Sequence, residues 1–236
     1  MAETAGIRVD AWARRVAFEA DVREDVARRA LERVLPEVTS PAYPGEGPRR
    51  RARRARRLLA EAVAEAKRLN ARMVSEVVRL WPGHDPRLSE WYARELYDAI
   101  LAEVPEVSEG VVRVVRLVRA RGLGAKAAVA GRLPGRANEG VLIGVGGARQ
   151  RAIRSRVGGE RLDVVTFQPD PAAFALAALR PGKVLEAWEE RRGSVTVTCE
   201  PEAMAGVIGA EGLNVLLAGA LVRARITAVP ASSGDA

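Results

Sequence analysis

Apolar positions follow a helical period in the first hundred residues and an alternating one soon afterwards. Over residues 10–35, Trp12, Val16, Ala20, Val26, Ala30 and Val34 mark one face of an amphipathic helix, with Asp10 placed to cap its start and Pro36 to end it. Pro41, Pro44, Gly45 and Gly47 make the stretch from Pro36 to Pro48 an irregular linker. The run from Arg49 to Arg57 then passes without a breaker into a Leu/Ala/Glu segment reaching Leu80, which predicts one long helix whose first turns are basic all round. Trp81-Pro-Gly-His-Asp-Pro86 interrupts it. Leu88 to Glu103 forms a third helix, with Trp91, Leu96, Ile100 and Leu101 apolar.

From Val111 the pattern changes. Val111–Arg119 and Ala125–Ala130 predict two strands joined at Gly122 and Gly124, residues 138–157 a helix, a glycine turn and a second helix, and Arg161–Phe167 a strand. The order recurs: a helix at Pro171–Leu179, strands at Val184–Glu190 and Ser194–Glu200, helices at Glu202–Ile208 and Leu213–Val222 around a second glycine turn, and a strand at Ala224–Val229. This is a weak internal repeat of about seventy residues. The tail from Ala231 to Ala236 is expected to be disordered.

The two turns, Ile143-Gly-Val-Gly-Gly147 and Ile208-Gly-Ala-Glu-Gly212, carry the candidate chemistry. A Gly-x-x-Gly turn between helices exposes backbone N–H groups with no Cβ in the way, so a sugar-phosphate chain can lie against it while bases enter an adjoining apolar groove. Charge supports the same class of partner. The net charge of +8 is concentrated in two blocks, +8 over residues 49–80 and +9 over 110–168, while residues 1–48, 81–109 and 169–236 carry −2, −5 and −2. Basic blocks that neutralise phosphates and release counterions point to nucleic acid.

Other classes have little support. With one cysteine, Cys199, and one histidine, His84, neither a disulfide nor a Cys/His metal cage can be assembled, and no cofactor motif is present. Cys199 ends an alternating strand pattern and reads as a small buried residue. Glu186, Glu189 and Glu190 read as solvent-facing, and the glycine-rich stretch lacks the Gly-Lys-Ser/Thr ending of a nucleotide-phosphate loop. No enzyme is expected. No apolar run has membrane-spanning length, and Asp10, Glu19, Asp21, Glu24 and Asp25 argue against a leader peptide, so a cytoplasmic protein is expected, of unknown oligomeric state.

The segments Glu103-Val-Pro-Glu-Val, Gly110-Val-Val, Gly159-Glu-Arg-Leu-Asp-Val-Val, Asp170-Pro-Ala-Ala-Phe, Ala178-Leu-Arg-Pro-Gly-Lys-Val184 and Ile208-Gly-Ala-Glu-Gly-Leu-Asn-Val215, in this order, resemble the tandem KH region of the bacterial transcription elongation and termination factor NusA. The resemblance spans residues 90–230. It implies an α+β protein with two tandem type II KH domains, at 88–168 and 169–230, preceded by a mainly helical, Arg-rich region at 1–87 in which no OB-fold barrel is recognised. It further implies a non-catalytic single-stranded RNA-binding regulator of elongation, termination or antitermination, with RNA polymerase as a candidate partner. RNA contacts are expected from Ile143, Gly144, Val145, Gly146, Gly147, Ala148, Arg149, Arg151 and Arg154 of the first unit and from Gly209, Ala210, Gly212 and Asn214 of the second.

Family turns commonly hold a lysine at the variable positions, where this chain has Val145-Gly146 and Ala210-Glu211, and Leu216 stands where an arginine is frequent. The second unit is therefore expected to have a weakened RNA surface, while Arg149, Arg151, Arg154 and Arg156 supply phosphate contacts in the first. Arg49, Arg50, Arg51, Arg53, Arg54, Arg56 and Arg57 form an accessory basic element, read equally as a solvated arm or as a segment that orders on RNA. Trp12, Trp81, Trp91 and Trp188 read as packing anchors. Two alternatives stay open: a protein acting on ribosomes or structured RNA, and an interaction scaffold whose KH folds no longer touch RNA.

Overall fold

A computed structural model describes residues 9–20, 22, 24–34, 48–80, 84–134, 136–180 and 182–231. The expected linker before Pro48, the Trp81-Pro-Gly83 breaker and the tail beyond Ala231 lie outside the described residues. The chain divides into two compact units, Met1–Ser75 with Ser108–Gly110, and Glu76–Val107 with Val111–Ala236.

In the first unit the single helix expected over 10–35 is two helices, α1 (Val9–Ala20) and α2 (Glu24–Val34). The reason lies in the apolar spacing. Ala20 and Val26 are six residues apart, so a continuous helix would turn them about 240° from one another. Breaking the chain lets Ala13, Val16 and Ala20 share one core with Ala27, Ala30 and Leu31, and Val22 N–H donating to Ala17 O at 3.0 Å closes α1. The 31-residue α3 (Pro48–Val78) completes the core with Leu59, Ala62 and Ala66, alanines allowing close helix approach. Surface pairs Arg28–Asp10 and Arg33–Glu65 tie α2 to its neighbours, each contributing about 1 kcal/mol or less.

The second unit holds the repeat. α4 (Glu90–Glu103) and the short α5 (Pro105–Ser108) lead into β1 (Val112–Ala120), β2 (Gly124–Gly131), α6 (Ala137–Ile143), α7 (Ala148–Arg156) and β3 (Arg161–Thr166). The second half runs α8 (Pro171–Ala178), β4 (Val184–Arg191), β5 (Ser194–Cys199), α9 (Met204–Ile208), α10 (Leu213–Val222) and β6 (Arg225–Pro230). Each half makes a three-stranded sheet in chain order, its first pair antiparallel and its second parallel. The parallel pairing follows from the helix-turn-helix crossover between the second and third strands.

α10 carries no charged side chain, and a helix apolar on all sides must be covered on more than one. It packs on its own sheet and on β1 and β2 of the first half, so the two halves share one core that runs from Val118, Ala128 and Val165 to Phe174, Val197 and Leu221. Among the described residues no single helix is long and apolar enough to cross a membrane.

Two arginines from β1 reinforce this arrangement. The Arg116 Nη1 donates to the carbonyls of Leu221 and Val222 at 3.1 and 2.9 Å, capping α10, and its guanidinium lies over the rings of Phe167 and Phe174 at 5.4 and 5.7 Å. Arg119, 2% exposed, forms a bidentate pair with Glu160 at 2.6 and 2.9 Å and also reaches Glu95 and the carbonyls of Tyr92 and Val157. Burial would raise the Glu160 carboxyl, but Arg119 and the Gly122 N–H together hold it below the usual range. Lys126, also buried, keeps one partner, Asp163 at 2.7 Å; burial outweighs that partner and lowers the ammonium pKa.

The tryptophans divide. Trp12 packs on the first unit's core, whereas Trp91 and Trp188 are exposed, at 68% and 42%; α4 buries Ala93, Leu96, Tyr97, Ala99 and Ile100 instead. Cys199 is fully buried, and burial pushes its thiol up. The Glu189 and Glu190 carboxylates are exposed and accept local bonds from the Gly193 N–H and the Thr196 hydroxyl.

Candidate nucleic-acid interface

The first glycine turn is built from positive backbone angles. α6 ends where Gly144 adopts φ 73° and ψ 170°, a single 3₁₀ turn spans Val145–Gly147, and Gly146 and Gly147 take φ 56° and 79° before α7 begins. Gly144 is required twice over, since a Cβ there would also lie 2.9–3.0 Å from Cγ, Cβ and the backbone nitrogen of Arg149. Its N–H donates to Gly140 O and its carbonyl accepts from Gly147 N–H. The tip is open to solvent: Val145 is 96% exposed, and Gly146 is exposed beside it.

The second turn has nearly the same geometry. Gly209 takes φ 76° and ψ 168°, Gly212 takes φ 74°, and Gly209 and Gly212 repeat the two backbone bonds of the first turn. A Cβ at Gly209 would lie 2.8 Å from Asn214 Cβ, the counterpart of the Arg149 contact. The difference is Glu211, which holds φ 51° where the first turn has Gly146. A side chain in the left-handed region is strained, and this one adds a carboxylate to the turn.

Side chains expected to meet phosphate have other partners within the fold. Arg149 Nη1 donates to Glu106 Oε1 and Val141 O, both at 2.9 Å, and joins α7 to α5 and α6. Burial would raise the Glu106 carboxyl, but its own backbone N–H and the Arg149 guanidinium hold it below the ordinary range. Arg154 donates to the carbonyls of Glu160 and Gly159, and Arg156 pairs with Glu103 on α4. Arg151 alone among the four bonds to the turn itself, through Gly146 O at 2.7 Å, and it is exposed. Ile143 is half-buried, Ala148 and Ala210 are exposed, and Asn214 Nδ2 donates to Leu179 O and Val207 O, clamping the second turn to α8 and α9. Leu216 packs against the shared core.

One residue near the second turn has no local sequence signal. Arg87 reaches the Glu211 carbonyl at 3.4 Å across 124 positions and is steadied by Asp85 at 3.0 Å, whose carboxyl it lowers. Between the halves lies a cleft of ~780 Å³ that runs from Gly124 and Arg161 of the first sheet to Gly209, Ala210 and Leu213. Its charges are mixed: Arg161 and Lys183 face Asp163, Glu200 and Glu202.

In the first unit, the arginines of α3 occupy one face rather than all of it. At 100° per residue, Arg49, Arg50, Arg53, Arg54, Arg56 and Arg57 fall within an arc of about 160°, and the buried Leu58, Leu59, Ala62 and Ala66 fill a separate arc of about 100°. Lys67, Arg68 and Arg72 continue the basic arc, giving it a length of about 35 Å at 1.5 Å per residue. The Arg51 side chain lies outside the described set.

An antiparallel strand pair, two helices joined by an open Gly-x-x-Gly turn, and a third strand parallel to the second define a KH-type region in residues of the first half. A family profile described as NusA-like first KH domain matches residues 93–167, from α4 to the end of β3. The chain is 34% identical over 126 residues to the transcription termination/antitermination protein NusA of Mycobacterium bovis and of Mycobacterium tuberculosis, covering 52% of this chain and 36% of theirs. The Thermus thermophilus protein of the same name is 33% identical over 138 residues, 57% of this chain and 35% of that one. A looser likeness to the crystal structure of APE1850 has a TM-score of 0.40 at 21% identity, over 56% of this chain and 96% of that one, too low to bear on the assignment. The chain carries a NusA-like KH region, and it spans about a third of the length of these curated relatives.

Proposed function

We propose that this chain is a non-catalytic RNA-binding factor that acts in transcription termination or antitermination, with single-stranded RNA held at the first glycine turn. The observation that carries the reading is the open turn itself: Gly144, Gly146 and Gly147 hold positive φ, and the exposed Val145 and Gly146 form its tip, inside the segment that matches a NusA-like first KH domain. Backbone amides freed of side chains, with Arg151 beside them, suit a phosphate chain.

The second half, residues 169–230, is a second type II KH unit in this reading, supported by its identical order of elements and strand pairing. Its contribution to RNA is the weaker one, because Glu211 stands at the turn. RNA polymerase is the partner proposed from the curated relatives' role, and the cytoplasm the compartment. A scaffold reading is favoured by the internal engagement of Arg149, Arg154 and Arg156, which leaves little free cation on α7.

Photocrosslinking separates the two. A 4-thiouridine RNA of about ten nucleotides, long enough for two clamps of about four each, is irradiated with the full chain and the adducts are mapped. Adducts within residues 141–154 are expected. Adducts confined to other surfaces, or none, would leave the scaffold reading.

A further inference from the structure

A buried charge stands beside the cleft between the two halves of the second unit. Lys126 is fully buried on the face of the first sheet that α10 covers, where Val118, Ala128 and Val165 are apolar and belong to the shared core. Among the described residues its ammonium meets one carboxylate, that of Asp163, its neighbour across the parallel pairing of β2 with β3, at 2.7 Å. An ion pair in such a place is no more stabilising than apolar side chains of the same volume, so packing alone does not account for it. The pair does fix Asp163. Lys126 bonds its Oδ2 and the exposed Arg161 its Oδ1, at 2.7 and 2.9 Å, so the carboxylate is held in one orientation from both oxygens. Asp163 is nevertheless 20% exposed, and it lines the cleft. A carboxylate has about four lone-pair directions, and the two cations use two of them.

We infer that Asp163 is a base-reading residue: the cleft takes one nucleobase that carries an exocyclic amino group, and Asp163 accepts its N–H. That the ligand is RNA rests on the function proposed above, to which this adds the kind of base selected and the residue that selects it. The cleft suits a base better than a phosphate chain. At ~780 Å³ it has the size of a small-molecule site, and Leu213 and Leu217 of α10 lie over Gly124 as an apolar wall, with the exposed Leu123 also lining it. Asp163, Glu200 and Glu202 repel phosphate, whereas a carboxylate is the acceptor that a base amino group needs. Glu200 and Glu202 are exposed and make no side-chain bond among the described residues, which leaves Asp163 as the acceptor already oriented. Gly209 and Ala210 of the second glycine turn border the other end of the cleft, where a backbone can be held while its base points inward. Cytosine, adenine and guanine all offer an amino group; uracil turns a carbonyl oxygen to the place where cytosine has its amino group, and that oxygen and the carboxylate repel each other.

The test uses the full chain and labelled single-stranded RNAs of about ten nucleotides in anisotropy titrations at one low salt concentration: oligouridine, oligocytidine, and oligouridine with a single cytidine moved along the strand. Cytosine and uracil share ring size and backbone and differ at the group that Asp163 faces. A hydrogen bond to a charged acceptor is worth about tenfold or more, so wild type should bind oligocytidine at least about tenfold more tightly than oligouridine, with most of the gain reached by one cytidine at one position. Asp163→Asn offers a donor as well as an acceptor, and should bring the two affinities within about twofold by weakening oligocytidine while oligouridine stays the same or gains. Because that change leaves the Lys126 ammonium buried without a carboxylate, Asp163→Asn with Lys126→Met is made beside it and should give the same ratio. Equal binding of the two RNAs by wild type overturns the inference, as does a cytidine preference that survives in a folded Asp163 variant. A loss that falls equally on both RNAs, or unfolding of both variants, also overturns it and marks the pair as structural. Wild type that binds neither RNA removes the proposed function and the inference with it, whereas equal binding of both leaves that function standing.

Discussion

Glu211→Gly separates two consequences of one residue. Glu211 sits at φ 51° and ψ 27°, within about 10° of the values Gly146 adopts in the first turn (56° and 18°), and it is exposed. A non-glycine residue in the left-handed region costs roughly 1–2 kcal/mol, and glycine returns roughly 0.5–1 kcal/mol of that through greater chain entropy in the unfolded state. The variant should therefore be about 0.5–1 kcal/mol more stable, a rise in Tm of about 2–3 °C for a chain of this size. The carboxylate also repels any phosphate at the turn. At ~6 Å the repulsion is about 0.7 kcal/mol in bulk water and about 3 kcal/mol at an effective dielectric of 20, so RNA should bind at least about threefold more tightly at low salt. Glu211→Ala removes the charge but keeps the strain, and should gain affinity without gaining Tm. Calorimetry and fluorescence anisotropy on the three proteins decide it. An alanine variant as stable as the glycine variant refutes the strain argument, and unchanged RNA affinity in both says that the second turn does not face phosphate.

Three further outcomes follow from the geometry. Arg116→Met removes two charged bonds to the carbonyls that end α10 and the stacking on Phe167 and Phe174, and should cost about 2–4 kcal/mol in urea unfolding, with the transition broadening as the two halves uncouple. The depressed Glu160 carboxyl adds stability that is fully present above its unfolded pKa near 4.3 and fades as pH falls through the lower folded value; Glu160→Gln should thus cost about 3–5 kcal/mol at pH 7, leaving Arg119 buried without its bidentate partner, and much less near pH 2. An equal loss at both pH values in denaturant titrations would contradict that pairing. Gly144→Ala must fit a Cβ against the Arg149 backbone at positive φ, and should lower stability by more than about 2 kcal/mol by the same assay.

What could be read from the sequence was what is local. The glycine turns were visible because Gly144, Gly147, Gly209 and Gly212 sit between apolar helical segments, and the repeat because two periods alternate in the same order twice. The break between α1 and α2 was also present in the spacing of Ala20 and Val26, but six residues without an intervening proline or glycine do not announce a turn. Tertiary partners were out of reach. Arg149 finds Glu106 across 43 positions, Arg156 finds Glu103 across 53, and Arg87 meets the second turn across 124, and none of these separations leaves a trace in composition or period. Exposure, by contrast, could be read: at about 100° per residue Trp91 lies about 140° from Leu96 and about 180° from Ile100, which puts it on the opposite side of α4 from the core. Of the α7 arginines expected to meet phosphate, Arg149, Arg154 and Arg156 are thus fixtures of the fold, and Arg151 stands exposed at the turn.

In the proposed function, RNA meets this chain at the first glycine turn. Anisotropy of a labelled single-stranded RNA of about eight nucleotides, titrated with wild type and with Val145→Asp, Gly146→Asp at low salt, tests it most directly. The double variant should fold, because Val145 is exposed and Glu211 already occupies the conformation that Asp would take at Gly146. Wild type should bind with salt-sensitive affinity and the variant should lose at least about tenfold, two carboxylates standing where phosphate should lie. Equal binding by both proteins, with the variant's fold intact by circular dichroism, would contradict it.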